Sequence, residues 1–211
     1  MKVNLTIGIP AWLDRICAWP VMEYRRWKYG YPFRRINLGE GRFAIVDQED
    51  FYRLNNFQWG AKGEDQLIYA MRFVIEPNKK GKIVSMHREM MNAPKGLLVD
   101  HRNGDTLDNR RSNLRLATHS QNMSNRGKLK KNATSQYIGI HIEKSSGRWV
   151  VKTSHNNKSI WIGRFDDEID AARAYDRAAI KYHGEFARLN FPREDYKDEI
   201  EALKQNEERT K

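Results

Sequence analysis

The chain has 211 residues and a formal net charge of +11, from 38 Lys and Arg against 27 Asp and Glu. That length suits one large domain or two small ones. Its 39 % hydrophobic content can build packed cores but holds no apolar run long enough to span a membrane. The opening segment, broken by Pro10 and followed by Asp14 and Arg15, makes a poor secretory signal, and the single Cys17 excludes an internal disulfide and any multi-cysteine zinc site. The expectation is an intracellular, non-secreted protein with no membrane role and a polyanionic partner.

In chain order, residues 1–34 are rich in Trp, Tyr, Pro and Arg without a clean period, which predicts an irregular arm. Residues 35–80 carry two β-like runs, GRFAIVD and LIYAMRFVI, around the polar stretch NNFQWGAKGED, and predict a small β-rich antiparallel unit. From residue 81, KIVSMHREMM puts His87 in a short helix, where a structural hydrogen bond to the following loop is expected. NAPKG reads as a turn, LLVDH as a short buried strand, RNGDTLDNRRSN as a long polar loop and LRLAT as the next strand. Thr118 is placed to cap a helix over HSQNMSNR. Residues 128–135 are polar and basic and predict a linker.

Residues 136–192 begin with YIGIHIEK, RWVVKTSH and SIWIGRFD, alternating runs joined by SSG and NNK, which predict a three-stranded antiparallel sheet. Ala171, Ala174, Tyr175, Ala178, Ala179 and Tyr182 then recur at helical spacing, and the alanines let that helix lie close to the sheet. Residues 193–211 form a charged, helix-prone tail, expected to be partly disordered. The fold class is α+β.

The basic excess is densest over residues 81–135. Across 137–164, Lys144, Arg148, Lys152, Lys158 and Arg164 face only Glu143, while the following helix starts acidic. A basic sheet backed by an acidic helix suits a module laid on a phosphate backbone, and an ordinary solvated surface is the plain alternative.

The segment VDHRNGDTLDNRRSNLRLATHSQNMSNR carries the chemistry. Asp100 and His101 end an apolar strand, and Asn122 lies near the start of the next helix. Phosphodiester hydrolysis needs a base for water and a cation for the charge developing on phosphorus and the leaving oxygen. A neutral His suits the base role at neutral pH. A carboxylate and an amide oxygen are hard ligands that favour Mg²⁺, with Mn²⁺ second. Adjacent strand residues point to opposite faces, so Asp100 and His101 serve one phosphate from different sides. Arg115 and Arg126 flank the segment as candidate phosphate contacts.

In the run of His87-Arg88, Val99-Asp100-His101, Asn103-Gly104-Asp105, Leu107-Asp108-Asn109-Arg110, Ser112-Asn113-Leu114-Arg115 and Ser120-Gln121-Asn122, residues 81–127 resemble the ββα-metal module of HNH endonucleases of the homing type. The resemblance implies His101 as general base, Asp100 and Asn122 as ligands of one divalent metal, and Asn113 as the residue that holds the loop and orients His101. Residues 136–192 resemble the AP2/ERF DNA-binding domain through Tyr137-Ile138-Gly139-Ile140, Arg148-Trp149-Val150, Trp161-Ile162-Gly163-Arg164-Phe165, Ala171-Ala172-Arg173-Ala174-Tyr175-Asp176 and Leu189-Asn190-Phe191-Pro192. That resemblance implies a sheet entering the major groove, with Arg148 and Trp161 as contacts. Plant members carry Arg where Ile138 and His141 stand, so the base-reading set differs here.

Strand placement adds His141, Lys152, Lys158 and Arg164 as DNA contacts. Together these readings give a DNA endonuclease that acts on double-stranded DNA as a monomer or weak dimer without an obligatory protein partner, in a bacterial or phage-infected cytoplasm. A non-catalytic DNA-binding regulator and an RNA-directed protein stand as rivals.

Overall fold

Two separate cores organise the chain, and they divide it into two compact units, Met1–Leu116 and Ala117–Lys211. The structure is a computed structural model that describes residues 10–64, 67–75, 80–125, 134–156 and 158–209. The mixed α and β content and the three-stranded antiparallel sheet on one helix agree with the fold class read from sequence.

The first unit runs α1 (Ala11–Tyr29), β1 (Arg34–Gly39), β2 (Arg42–Val46), α2 (Gln48–Asn55), β3 (Gly60–Glu64), β4 (Leu67–Val74), β5 (Lys82–Ser85), α3 (Met86–Met90), β6 (Leu98–His101) and β7 (Leu114–Ala117), whose last residue crosses the division. Strands β1 and β2 form a hairpin, β3, β4 and β5 an antiparallel sheet in that order, and β6 pairs with β7. Ile36, Leu38, Ala44, Val46, Leu54, Ala70, Met86, Val99 and Leu114 meet in one core, so residues 35–80 and the two strands of the nuclease-like segment are packed as a single body. Trp59 seals it, its indole N–H donating to the Leu54 carbonyl at 2.8 Å.

Of the arm expected over residues 1–34, the described part from residue 10 is mostly helix. Pro10 precedes the first turn, where its missing N–H costs nothing, and Gly30, with φ of 81°, ends the helix by donating to the Arg26 carbonyl. The sequence hid α1 because Pro20 interrupts it and its apolar residues do not face the core.

The second unit holds α4 (His119–Ser124), β8 (Ile140–Ile142), β9 (Trp149–His155), β10 (Lys158–Phe165), α5 (Glu168–His183) and α6 (Lys197–Arg209). Thr118 caps α4 as expected, in a reciprocal box with Gln121. The linker expected over 128–135 lies mostly outside the described residues, as does Arg126. The sheet order is β10-β9-β8, and α5 lays Ala171, Ala172, Tyr175 and Ala179 against Ile140 and Val151. Gly139 has φ of 77°, and a Cβ there would lie 1.9 Å from the Tyr175 ring, so both conformation and space demand glycine. Asp167 caps α5 by accepting from the Ile169 and Asp170 N–H groups. The tail continues into α6.

Asp176 is fully buried and accepts from the N–H groups of Asn190 and Phe191 and from the Tyr196 hydroxyl, clipping the segment after α5 back onto the helix. Burial raises its carboxyl pKa against those donors. Asp176→Ala strands several buried donors and is expected to lower stability by about 3 kcal/mol in denaturant unfolding. An unchanged midpoint would contradict the clip.

Candidate functional site

A polar loop, Arg102–Asn113, joins β6 to β7 with Thr106, Asp108, Asn109 and Asn113 buried and its tip exposed. Such a loop is stable only if its polar groups find partners inside the protein. Two side chains supply many of them. Asn113 accepts from the Asn103 N–H at 3.0 Å and donates to the Asp108 carbonyl at 2.8 Å. Asp108, fully buried, accepts from the Asn103 amide at 2.9 Å and from both Nε and Nη2 of Arg110 at 2.9 and 2.7 Å. The Arg110 guanidinium covers the Tyr31 ring at 3.2 Å. The loop also borrows the free edge of β2: Ile45 donates to the Leu107 carbonyl and Asn109 to the Ile45 carbonyl. Arg111 forks onto Asp50 at 2.7 and 2.8 Å, and the Thr106 hydroxyl donates to the Ile68 carbonyl.

This scaffold fixes Asp100 and His101 at the end of β6. Both are buried, Asp100 at 4 % and His101 at 5 % exposure. They diverge as strand neighbours must. The Asp100 carboxylate meets Arg115, which reaches its Oδ2 with Nε at 2.7 Å and Nη2 at 2.6 Å. His101 enters a ring cluster that sequence reading missed. Its imidazole stands edge-on to His87 with centroids 5.3 Å apart, and Tyr69 lies 5.3 Å from His87 and 6.3 Å from His101. The sequence signal for it is His87, in the helix before β6, from which a structural hydrogen bond to the following loop is expected. The structure instead leaves His87 Nδ1 buried without a hydrogen bond among the described residues.

Burial pushes the His101 pKa below 6.5, while the Asn109 side chain and the Asp100 charge pull the other way. For His87, burial and then the neighbouring His101 and Arg88 push the value down to about 3. Both rings are neutral near pH 7, the form a general base requires.

Arg115 does not lie on a DNA-facing surface. Its side chain is 7 % exposed and committed to Asp100, so its expected role as a phosphate contact is replaced by neutralising a buried carboxylate. Asn122 sits half-buried on α4, within the second unit, where Ser124 Oγ lies 3.1 Å from His183 Nδ1. Asp100 lies in the first unit and Asn122 in the second, and each offers an oxygen donor of the kind that suits Mg²⁺ or Mn²⁺. Among the described residues no three His, Cys, Asp or Glu side chains gather to hold a metal.

In the second unit the strand register sorts the DNA candidates. Lys152 lies opposite Trp161, while His141 and Arg164 both lie opposite Val150, two residues from Lys152 on the same face. These side chains and Arg148 share the side away from α5. Trp161 is 56 % exposed there, whereas Trp149 packs against the core. Arg148 is paired with Asp166 at 2.7 Å, and Arg164 forks onto Glu143 at 2.9 and 3.0 Å, holding both guanidinium groups in place. Lys158 departs from the set. It pairs with His155, whose ring lies against Tyr182 and His183 of α5, so its register belongs to the other face.

Residues 89–124 match the family model described as HNH endonuclease, and residues 135–185 match the AP2 domain. The chain is 41 % identical over 71 residues to APETALA2-like protein 2 of Oryza sativa subsp. japonica, covering 34 % of this chain and 16 % of that protein. It is 40 % identical over 81 residues to AP2-like ethylene-responsive transcription factor ANT of Arabidopsis thaliana, covering 34 % and 15 %. The chain thus spans less than a fifth of the length of these relatives. Both are plant proteins and do not match the bacterial or phage-infected host expected from sequence. Among the described residues no helix is long and apolar enough to cross a membrane.

The His87 shift has a consequence for stability. Above pH 6.5 the ring is neutral whether the chain is folded or not, and stability is fully present. As pH falls from 6.5 toward 3, the unfolded chain takes up a proton that the folded chain refuses, and stability is lost. Denaturant unfolding across that range should show a loss of several kcal/mol, and His87→Phe should reduce the slope. An identical slope in the variant would rule out His87 as its source.

Proposed function

We propose that this chain, with an HNH endonuclease module followed by an AP2 domain, is a DNA endonuclease of the homing type that hydrolyses phosphodiester bonds and is brought to its substrate by the AP2 sheet. The carrying observation is the buried imidazole of His101, held by a loop whose Asn113 and Asp108 are committed to internal hydrogen bonds. Asp100 and Asn122 would hold one divalent cation, which when bound supplies positive charge to the scissile phosphate and the leaving oxygen.

The chain's own residues do the rest. His101 takes a proton from the attacking water. The resulting hydroxide adds to phosphorus in line and the P–O3′ bond breaks, which leaves 5′-phosphate and 3′-hydroxyl ends. Packing against His87 and Tyr69 keeps the imidazole oriented, and Arg115 keeps the Asp100 carboxylate in place. On the AP2 side, Trp161 with Lys152, Arg148, Arg164 and His141 presents one aromatic and basic face to double-stranded DNA, and tethering raises the effective concentration of substrate at the nuclease module.

A second reading has a specific observation behind it. Arg115 already neutralises Asp100, and the similar plant protein from Arabidopsis is named a transcription factor, which favours a DNA-binding regulator with an inactive nuclease module. A supercoiled-plasmid assay with Mg²⁺ separates the two. The endonuclease reading expects cutting by the wild type and a loss of at least about 100-fold in His101→Ala, with duplex affinity unchanged by fluorescence anisotropy. Binding without cutting by the wild type would leave the regulator.

A further inference from the structure

Helix α1 turns its polar side inward and its apolar side to water. The inward positions Asp14, Ala18, Met22 and Arg25 are half-buried. They are anchored by polar contacts: Asp14 to Arg34 at 2.8 Å and to the Tyr52 hydroxyl at 2.7 Å, and Arg25 to the Phe33 carbonyl at 2.6 Å. On the outward side Trp12, Ile16, Trp19 and Trp27 fall on one stripe at helical spacing, with Tyr24 beside it. Their exposures are 64 %, 62 %, 65 %, 79 % and 51 %. A soluble helix ordinarily buries such a stripe, and a contiguous exposed one marks a contact surface.

We propose that this stripe is the surface through which two copies of the chain pair. Two observations select that occupant. The first is area. From the usual size of these side chains the five present roughly 700 Å², close to the ~800 Å² per partner of a stable protein interface. The second is charge. Each described cation of α1 is already engaged within the chain. Arg25 turns inward, Arg26 pairs with Glu23 at 3.2 Å, Arg15 lies over Tyr52 and Lys28 lies against Tyr24 and Tyr29. These contacts hold the helix's cations within the chain, and Trp12, Ile16, Trp19 and Trp27 themselves present an apolar surface that matches an equally apolar one. A two-fold pairing presents the same patch from both sides. The inference stands whether or not the nuclease reading holds. If that reading holds, pairing puts two nuclease modules in one assembly, enough to cut both strands.

The test uses the whole chain and its single cysteine, the exposed Cys17 on α1. Sedimentation equilibrium should give a dimer, and a nitroxide on Cys17 should show dipolar coupling to a second label. Trp19→Asp and Trp27→Asp should each weaken association by at least about 30-fold, the loss of one aromatic hot spot, with far-UV circular dichroism unchanged. A monomeric wild type without coupling overturns the proposal. So does a dimer indifferent to both substitutions, or a monomer whose stripe instead binds duplex DNA or phosphatidylserine vesicles. If a variant fails to fold, the wild-type mass and coupling decide alone.

Discussion

The structure around His101 depends on one constraint: the loop between β6 and β7 is long and polar, and it carries Thr106, Asp108, Asn109 and Asn113 into the interior. Water cannot satisfy its interior groups, so the protein must. Asp108 and Asn113 fasten it from within, and the edge of β2 fastens it from outside through Ile45. This explains why the hairpin β1–β2 shares a core with the two strands of the nuclease module. The hairpin supplies backbone partners the loop cannot find in its own sequence, and Asp47 and Asp50 beside it tie down Arg111.

The same burial sets the electrostatics. A carboxylate and an imidazole leave water together at the end of β6, and each meets a different answer. Asp100 is paired with Arg115, buried against it at 2.6 Å. His101 is kept neutral because it is buried among the rings of His87 and Tyr69, against the opposite pull of Asn109 and Asp100. A carboxylate paired with a cation beside a neutral imidazole is the pairing that the proposed phosphodiester hydrolysis would use. The arginine, which the sequence suggests as a contact for DNA, is the residue that makes the carboxylate tolerable in the interior.

The second unit was the more legible of the two. Its strands alternate, its helix repeats alanines at regular spacing, and its turns carry Gly and Asn, so local signals agree with tertiary packing. Strand register, which sequence could not give, separated Lys158 from Lys152 and placed Trp161 outward and Trp149 inward. In the first unit the strand, loop and strand order of the motif was readable, but its partners were not. Tyr69 and His87 reach His101 from β4 and α3 through packing, which no spacing rule encodes. Helix α1 was illegible because the usual sign of a helix is a core-facing stripe, and here that stripe faces water.

The central claim is that burial among the rings of His87 and Tyr69 holds the His101 imidazole neutral and in one orientation. Long-range ¹H–¹⁵N correlation spectra of the histidine side chains at neutral pH read this directly. The account predicts a single neutral tautomer for His101, unaveraged by exchange. An imidazolium pattern, or two tautomers in exchange, would contradict it.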